Sequence, residues 1–257
     1  MSGTARHAPS GEGHIYPVDM VRVLTFACVI AVHTISTVNS IASPLWDGAA
    51  LLLHFTRSAF FVLTAFVLTS RYQRGVPRSL PFWRRRFLLV GVPYLVWSLI
   101  YSAIGLAAAP RSWSESVITV LYNVGTGQAW FHLYFLLVSL QFYLLFPLFM
   151  RLLRATLGRH GWLLAGSALL QLVLDVWMHD PAATGAKADY LRFAGSYLIS
   201  YQFFLVLGGV VALHRQQVDT WVRSHRRTVL AGVLVTGLFA EGRYIWEVSH
   251  GANPMFA

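Results

Sequence analysis

Two ionisable residues lie inside the first long apolar run of the chain, VDMVRVLTFACVIAVHTISTV, from Val18 to Val38. Arg22 can grip an anion through paired N–H donors. His33 can accept or release a proton near neutral pH. The run is long enough to cross a bilayer, and an ionisable side chain in such a segment marks a functional site by default. Eleven residues at about 100° each make about three full turns, so both side chains share one helix face. At 1.5 Å per residue they stand about 16 Å apart along the axis. Asp19, three residues before Arg22, can pair with it. The competing reading of His33 is a hydrogen-bonded histidine in the helix packing.

Other residues extend this set. Arg84, Arg85 and Arg86 open a later apolar run. They serve as a topology signal and equally as a phosphate clamp, since guanidinium binds phosphate oxygens with paired donors. His54 and Arg57 lie one turn apart in the second run; Arg57 either snorkels, pairs with an acid such as Glu241 or Asp175, or serves a site. His132 sits with Trp130 and Tyr134 where an aromatic belt would lie. Gln141 and Tyr143 are deeper in that run and can hydrogen-bond between helices. In the last run Glu247, four after Arg243, is a better local partner for it than Glu241. The ten histidines contain no i,i+4 pair, and HExxH, GxSxG and Walker patterns are absent. No metal site is expected.

The elements that must position these residues are membrane helices. Hydrophobic residues make up 56% and charged residues 12%, about half the charged fraction of a soluble domain. Seven apolar runs stand out, at about 18–38, 49–70, 87–109, 130–152, 161–178, 193–214 and 228–248. Residues 113–125 are apolar but too short to span, and read as interfacial or re-entrant. Pro93 and Pro147 are candidate kinks. Residues 1–17 are polar, rich in Gly and Pro, and read as a disordered tail, without a signal peptide. Residues 18–257 read as one transmembrane domain. Cys28 is the single cysteine, so no disulfide can form within the chain. The net charge of +10 follows topology rather than nucleic-acid binding, because the basic residues flank apolar runs. Fourteen arginines fall on one side: Arg6, Arg71, Arg74, Arg78, Arg84–Arg86, Arg151, Arg154, Arg159, Arg215, Arg223, Arg226 and Arg227. Opposite them are Arg111, Lys187 and Arg192. The positive-inside rule therefore places the amino terminus in the cytoplasm, with Arg22 near that face and His33 toward the other.

Four segments, in order, resemble motifs of the acyltransferase-3 family of integral membrane acyltransferases. VDMVRVLTFACVIAVH is similar to the opening motif, in which Asp is followed by Arg three later and His eleven beyond the Arg. RSAFFVLTAFVLTSRY resembles the second-helix motif, with Thr64-Ala65 where the family has Ser-Gly. PFWRRRFLLVGVPYLVW resembles the basic loop entering the third helix and its Pro-Tyr. WFHLYFLLVSLQFYLLFPL resembles the His-Leu-x-Phe, Gln-Phe-Tyr and Pro helix. The resemblance covers roughly 15–150, and beyond it lies in hydropathy and the stretch Ser200–Phe203.

The resemblance implies an all-α, polytopic bundle of about ten helices, of which about seven are expected in this chain, so the domain is expected to be incomplete. It implies acyl-CoA, often acetyl-CoA, as donor substrate, with no permanent cofactor. The implied acceptor is a hydroxyl of a sugar, glycolipid, cell-wall polymer or secondary metabolite, and the implied location a bacterial plasma membrane. His33 is then the catalytic base or a transient acyl carrier. Asp19 orients Arg22, while Arg22 and Arg84–Arg86 hold the donor's phosphates. Arg57, His132, Gln141 and Tyr143 contact the acceptor or orient His33. Two readings from other classes stay open: a transporter or export component for a lipid or polysaccharide, and an inactive fragment that binds a partner.

Overall fold

Proline shapes two of the longest helices of this protein. In the computed structural model the residues described are 55–178 and 193–250, with 20, 23–25, 27–32, 34, 53 and 191; the side chains of Met178 and Glu247 stand outside this set. All regular structure among them is helical. The chain divides into two compact units: Met1–Leu63 with Arg226–Ala257, and Thr64–His225.

In the first unit, the described residues of segment 20–34 are helical, as the opening apolar run predicts. Helix α1, Phe55–Arg71, begins in this unit and ends in the second. The last helix of the chain, Arg226–Ser249, also belongs to the first unit. Its portion Arg226–Trp246 is long and apolar enough to cross a bilayer, and its exposed Leu, Val and Phe side chains are those of a lipid-facing surface.

The second unit carries the larger core. Helix α2, Ser79–Arg86, runs through a π turn, Phe87–Gly91, into α3, Val92–Ala108. Pro93 explains the widened turn. It has no N–H to offer, and just before it the Val92 N–H reaches back five residues to the Phe87 carbonyl. Together Ser79–Ala108 forms a 30-residue spanning helix. Helix α4, Trp113–Thr126, has 14 residues and, at about 21 Å, is too short to span. Ser112 and Glu115 close a capping box at its start. It ends at Gly127, whose φ of 73° and whose approach to Tyr134 (a Cβ would lie 2.6 Å from the Tyr134 Cα) leave room for glycine only.

Helix α5, Leu133–Ala155, is the central strut. Val138, Phe142, Phe146 and Met150 recur every four residues and are buried. Phe146 stacks on Phe82 of α2 with centroids 5.2 Å apart, and Tyr72 closes edge-on against Phe82 at 5.8 Å. Pro147 lies inside α5 and strips the Tyr143 carbonyl of its helical donor. The Trp83 Nε1–H fills that vacancy, donating to the Tyr143 carbonyl at 3.1 Å. The proline read from the sequence as a candidate kink thus lies inside a continuous helix, at the point where α2 locks onto α5.

Helix α6, His160–Met178, is followed by two short 3-10 turns, Ala194–Ser196 and Leu198–Tyr201, and then by α7, Gln202–Leu213. Gly209 lets α7 approach α5: a Cβ there would lie 2.6 Å from Phe149 and 2.8 Å from Leu153. Helix α8, Arg215–Ser224, leaves α7 at a bend of 92°. The final helix, Arg226–Ser249, is α9. Among the described residues, three of the seven apolar runs coincide with helices long and apolar enough to span, and Leu198–Leu213 with α8 makes a fourth if that bent pair is one broken span.

Candidate functional site

The last turn of α2 presents three arginines, and the structure divides their work. Arg84 and Arg85 are exposed, whereas Arg86 is half-buried. The Arg86 guanidinium lies 5.5 Å from the Tyr143 ring centroid and 5.7 Å from that of Phe82. Those are cation–π distances, so Arg86 joins α2 to α5. Arg84 and Arg85 stay exposed. Both lie in the amino-terminal part of the Ser79–Ala108 helix, which follows the turn 72–75. There Arg154 donates to the Gln73 carbonyl at 2.9 Å, and Gln73 Nε2 donates to the Ala212 carbonyl at 2.8 Å.

The residues read from the fourth apolar run separate along α5. Tyr143 is buried between Phe82 and Arg86 at the α2 contact. Gln141 is committed to the chain's own backbone: its Nε2 donates to the Ser196 carbonyl at 2.7 Å, and its Oε1 accepts from the Leu198 N–H at 3.0 Å. It fixes the turn that leads into α7. His132, at the amino end of α5, packs edge-on against Tyr101 at 5.8 Å and Phe131 at 5.1 Å. Trp97, Tyr101 and Trp130 stack in sequence beside it, at 5.6 and 4.9 Å. Arg57, in the first unit, is exposed on α1. Asp19, Arg22, His33 and His54 lie outside the described residues. Asp175 accepts from Gln171 Nε2 at 2.9 Å.

The sequence reading missed a polar seam. His160, Ser167, Gln171 and Asp175 fall within an arc of about 80° on α6 and extend over about 22 Å of its axis. Ser167 donates to Gln202 Oε1 at 2.7 Å, Gln202 Nε2 donates to the Ser167 carbonyl at 2.7 Å, and Gln171 Nε2 donates to the Ser200 carbonyl at 3.1 Å. At the end of the seam, His160 Nδ1 and His214 Nε2 stand 2.8 Å apart. His160 Nε2 lies 2.8 Å from the Leu153 carbonyl, and His214 Nδ1 lies 2.7 Å from Gln217 Oε1. A carbonyl only accepts, so His160 Nε2 donates to Leu153. The stripe on α6 was visible in spacing; its partners, 29 to 54 residues away, were not. Among the described residues no three His, Cys, Asp or Glu side chains gather to hold a metal.

Helices long and apolar enough to cross a bilayer, joined by hydrogen bonds between polar side chains, define a polytopic membrane protein. Residues 15–254 match the acyltransferase-3 family model, described as an acyltransferase domain, and the chain belongs to that family. A protein of Bacillus subtilis (strain 168) named as a membrane-bound acyltransferase, YfiQ, is 29% identical over 246 residues. That alignment covers 91% of this chain and 66% of the relative, so the chain spans just under two thirds of the relative's length. No solved structure matches.

Proposed function

We propose that this chain transfers an acyl group, acetyl in the simplest case, from a cytoplasmic acyl-CoA to a hydroxyl on a sugar, glycolipid, cell-wall polymer or secondary metabolite. The observation that carries the reading is the exposed Arg84–Arg85 pair in the amino-terminal part of a spanning helix, in a chain of this family. CoA is a polyanion through its pyrophosphate and ribose phosphate, and the two guanidinium groups give it paired donors. The acceptor oxygen attacks the thioester carbonyl carbon. The C–O bond forms as His33 takes the hydroxyl proton, the C–S bond breaks, and the proton passes to the departing thiolate. Asp19 holds Arg22, and the membrane is a bacterial plasma membrane.

The test uses purified protein in nanodiscs, radiolabelled acetyl-CoA and an extract of bacterial membrane lipids and glycans. Label should move to a hydroxyl-bearing product identified by mass spectrometry. His33→Ala should lose transfer by a thousandfold or more while keeping its thermal unfolding profile, in line with removal of a base or nucleophile. Wild-type rates in that variant would remove His33 from the chemistry. Vesicle uptake of a labelled lipid or glycan without acyl transfer would put a transporter in place of the enzyme.

A further inference from the structure

Helix α8, RQQVDTWVRS, is two-faced. Val218, Trp221 and Val222, with the flanking His214 and His225, occupy an arc of about 100°, and Arg215, Gln216, Gln217, Asp219, Thr220, Arg223 and Ser224 fill the rest. The apolar side is open: Trp221 is 53% exposed and Val222 38%. Trp221 stacks on His225 at 5.1 Å.

Its direction is built in. The 92° bend from α7 is held on three sides. The His214 ring, at the amino end of α8, bridges His160 on α6 and Gln217 one turn into α8. Gln73 holds the Ala212 carbonyl just before the bend, and Arg154 on α5 holds the Gln73 carbonyl. α7 is apolar beyond Gln202, and at Gly209 it packs closely against Phe149 and Leu153 of the spanning helix α5. A short amphipathic helix set at right angles to such a helix lies in the plane of the membrane surface. The charge is right for that place. Arg74, Arg154, Arg159, Arg215 and Arg223 belong to this end of the second unit, and Asp219, the acid on α8, is already paired with Arg223 at 2.9 Å.

We propose that α8 is an interfacial helix that docks on anionic phospholipid. Val218, Trp221 and Val222 seat at the boundary of headgroups and acyl chains, and Arg215, at the edge of that face, reaches lipid phosphates. The surface is separate from the donor site, because Arg84 and Arg85 project from α2. It holds whether or not the chain transfers acyl groups.

The experiment uses the full chain carrying Cys28→Ser and one added cysteine at 216, 218, 219, 220, 221 or 222. Each is labelled with a nitroxide and placed in nanodiscs of phosphatidylcholine, with or without phosphatidylglycerol. Collision with oxygen reports lipid, and collision with a soluble nickel chelate reports water. Labels at 218, 221 and 222 should show an oxygen-to-nickel ratio several-fold above those at 216, 219 and 220, and phosphatidylglycerol should deepen them. Excess CoA should leave the pattern unchanged. Equal nickel access at all six positions would overturn the proposal. So would labels at 221 and 222 that neither reagent reaches, which would mean a protein partner, or a pattern indifferent to phosphatidylglycerol. Trp221→Phe in otherwise native protein provides a label-free check: brominated lipid should quench wild-type fluorescence more than that of the variant, and equal quenching counts against docking.

Discussion

The three arginines that close α2 are neighbours in sequence and unequal in role. Arg86 lies over Phe82 and Tyr143, and a partly desolvated cation over an aromatic face contributes about 0.5–2 kcal/mol. Arg86→Gln should therefore lower thermal stability by about that amount. Arg84→Gln with Arg85→Gln should leave the melting profile within about 0.5 kcal/mol of wild type and raise KM for acyl-CoA about tenfold or more. Unchanged KM in the double variant would move the donor site elsewhere. A second residue-scale effect lies at the start of α4, outside the spanning segments. The Ser112 hydroxyl and Ser112 N–H, helped by Arg111, hold the Glu115 carboxyl below its ordinary range. A folded value below the unfolded one means that the cap contributes fully above the ordinary carboxylate range, about pH 4–5, and is lost as pH falls through the lowered value. Amide exchange in the first turn of α4 should stay slow from pH 7 to 5, corrected for intrinsic rates, and accelerate only in more acid solution. Ser112→Ala should make it fast at every pH.

At the scale of elements, the joint between α2 and α5 rests on a missing hydrogen. Pro147 leaves the Tyr143 carbonyl without its helical donor, and Trp83 supplies one. Trp83→Phe should cost about 1–3 kcal/mol for the orphaned carbonyl, beyond any loss of packing. Pro147→Ala restores a backbone N–H at the right register, so in that background the same Trp83→Phe change should cost measurably less. Additive costs, read by thermal unfolding of the four proteins, would mean that the indole acts by packing alone. This joint also shows what a sequence discloses. The vacancy that Pro147 leaves was legible, because proline's missing donor is a local property. The indole that answers it lies 60 residues away, and nothing in local spacing announces it. The same holds for Gln141. Its depth in an apolar helix was legible, but the backbone of 196–198 that occupies its amide comes from a turn that only the packed chain brings near.

For the whole molecule, hydropathy was the most legible property, because lipid leaves a chain no option but closed backbone hydrogen bonding. That constraint is one-dimensional, and it reads from residue types alone. How the arginine-bearing turns gather at one end of the second unit is a tertiary matter. The charge rule placed them on one side, and three hydrogen-bonded contacts now join them: Arg154 to Gln73, Gln73 to Ala212, and His160 to His214. Turns tied together in this way must face the same compartment. The opposite end is independently fixed, since Tyr94 donates to the Val124 carbonyl and Asn123 donates to Ser102 at 3.0 Å, holding α4 against α3. With Cys28 replaced by serine, single cysteines at 74, 159 and 216 should resist a membrane-impermeant maleimide in intact bacterial cells and react after permeabilisation. Cysteines at 111 and 114, ahead of and within the first turn of α4, should react in intact cells. Reaction of all five from outside, or the reverse pattern, would invert the orientation. It would also place Arg84 and Arg85 on the side of the membrane that holds no acyl-CoA, and the proposed donor site would fall with it.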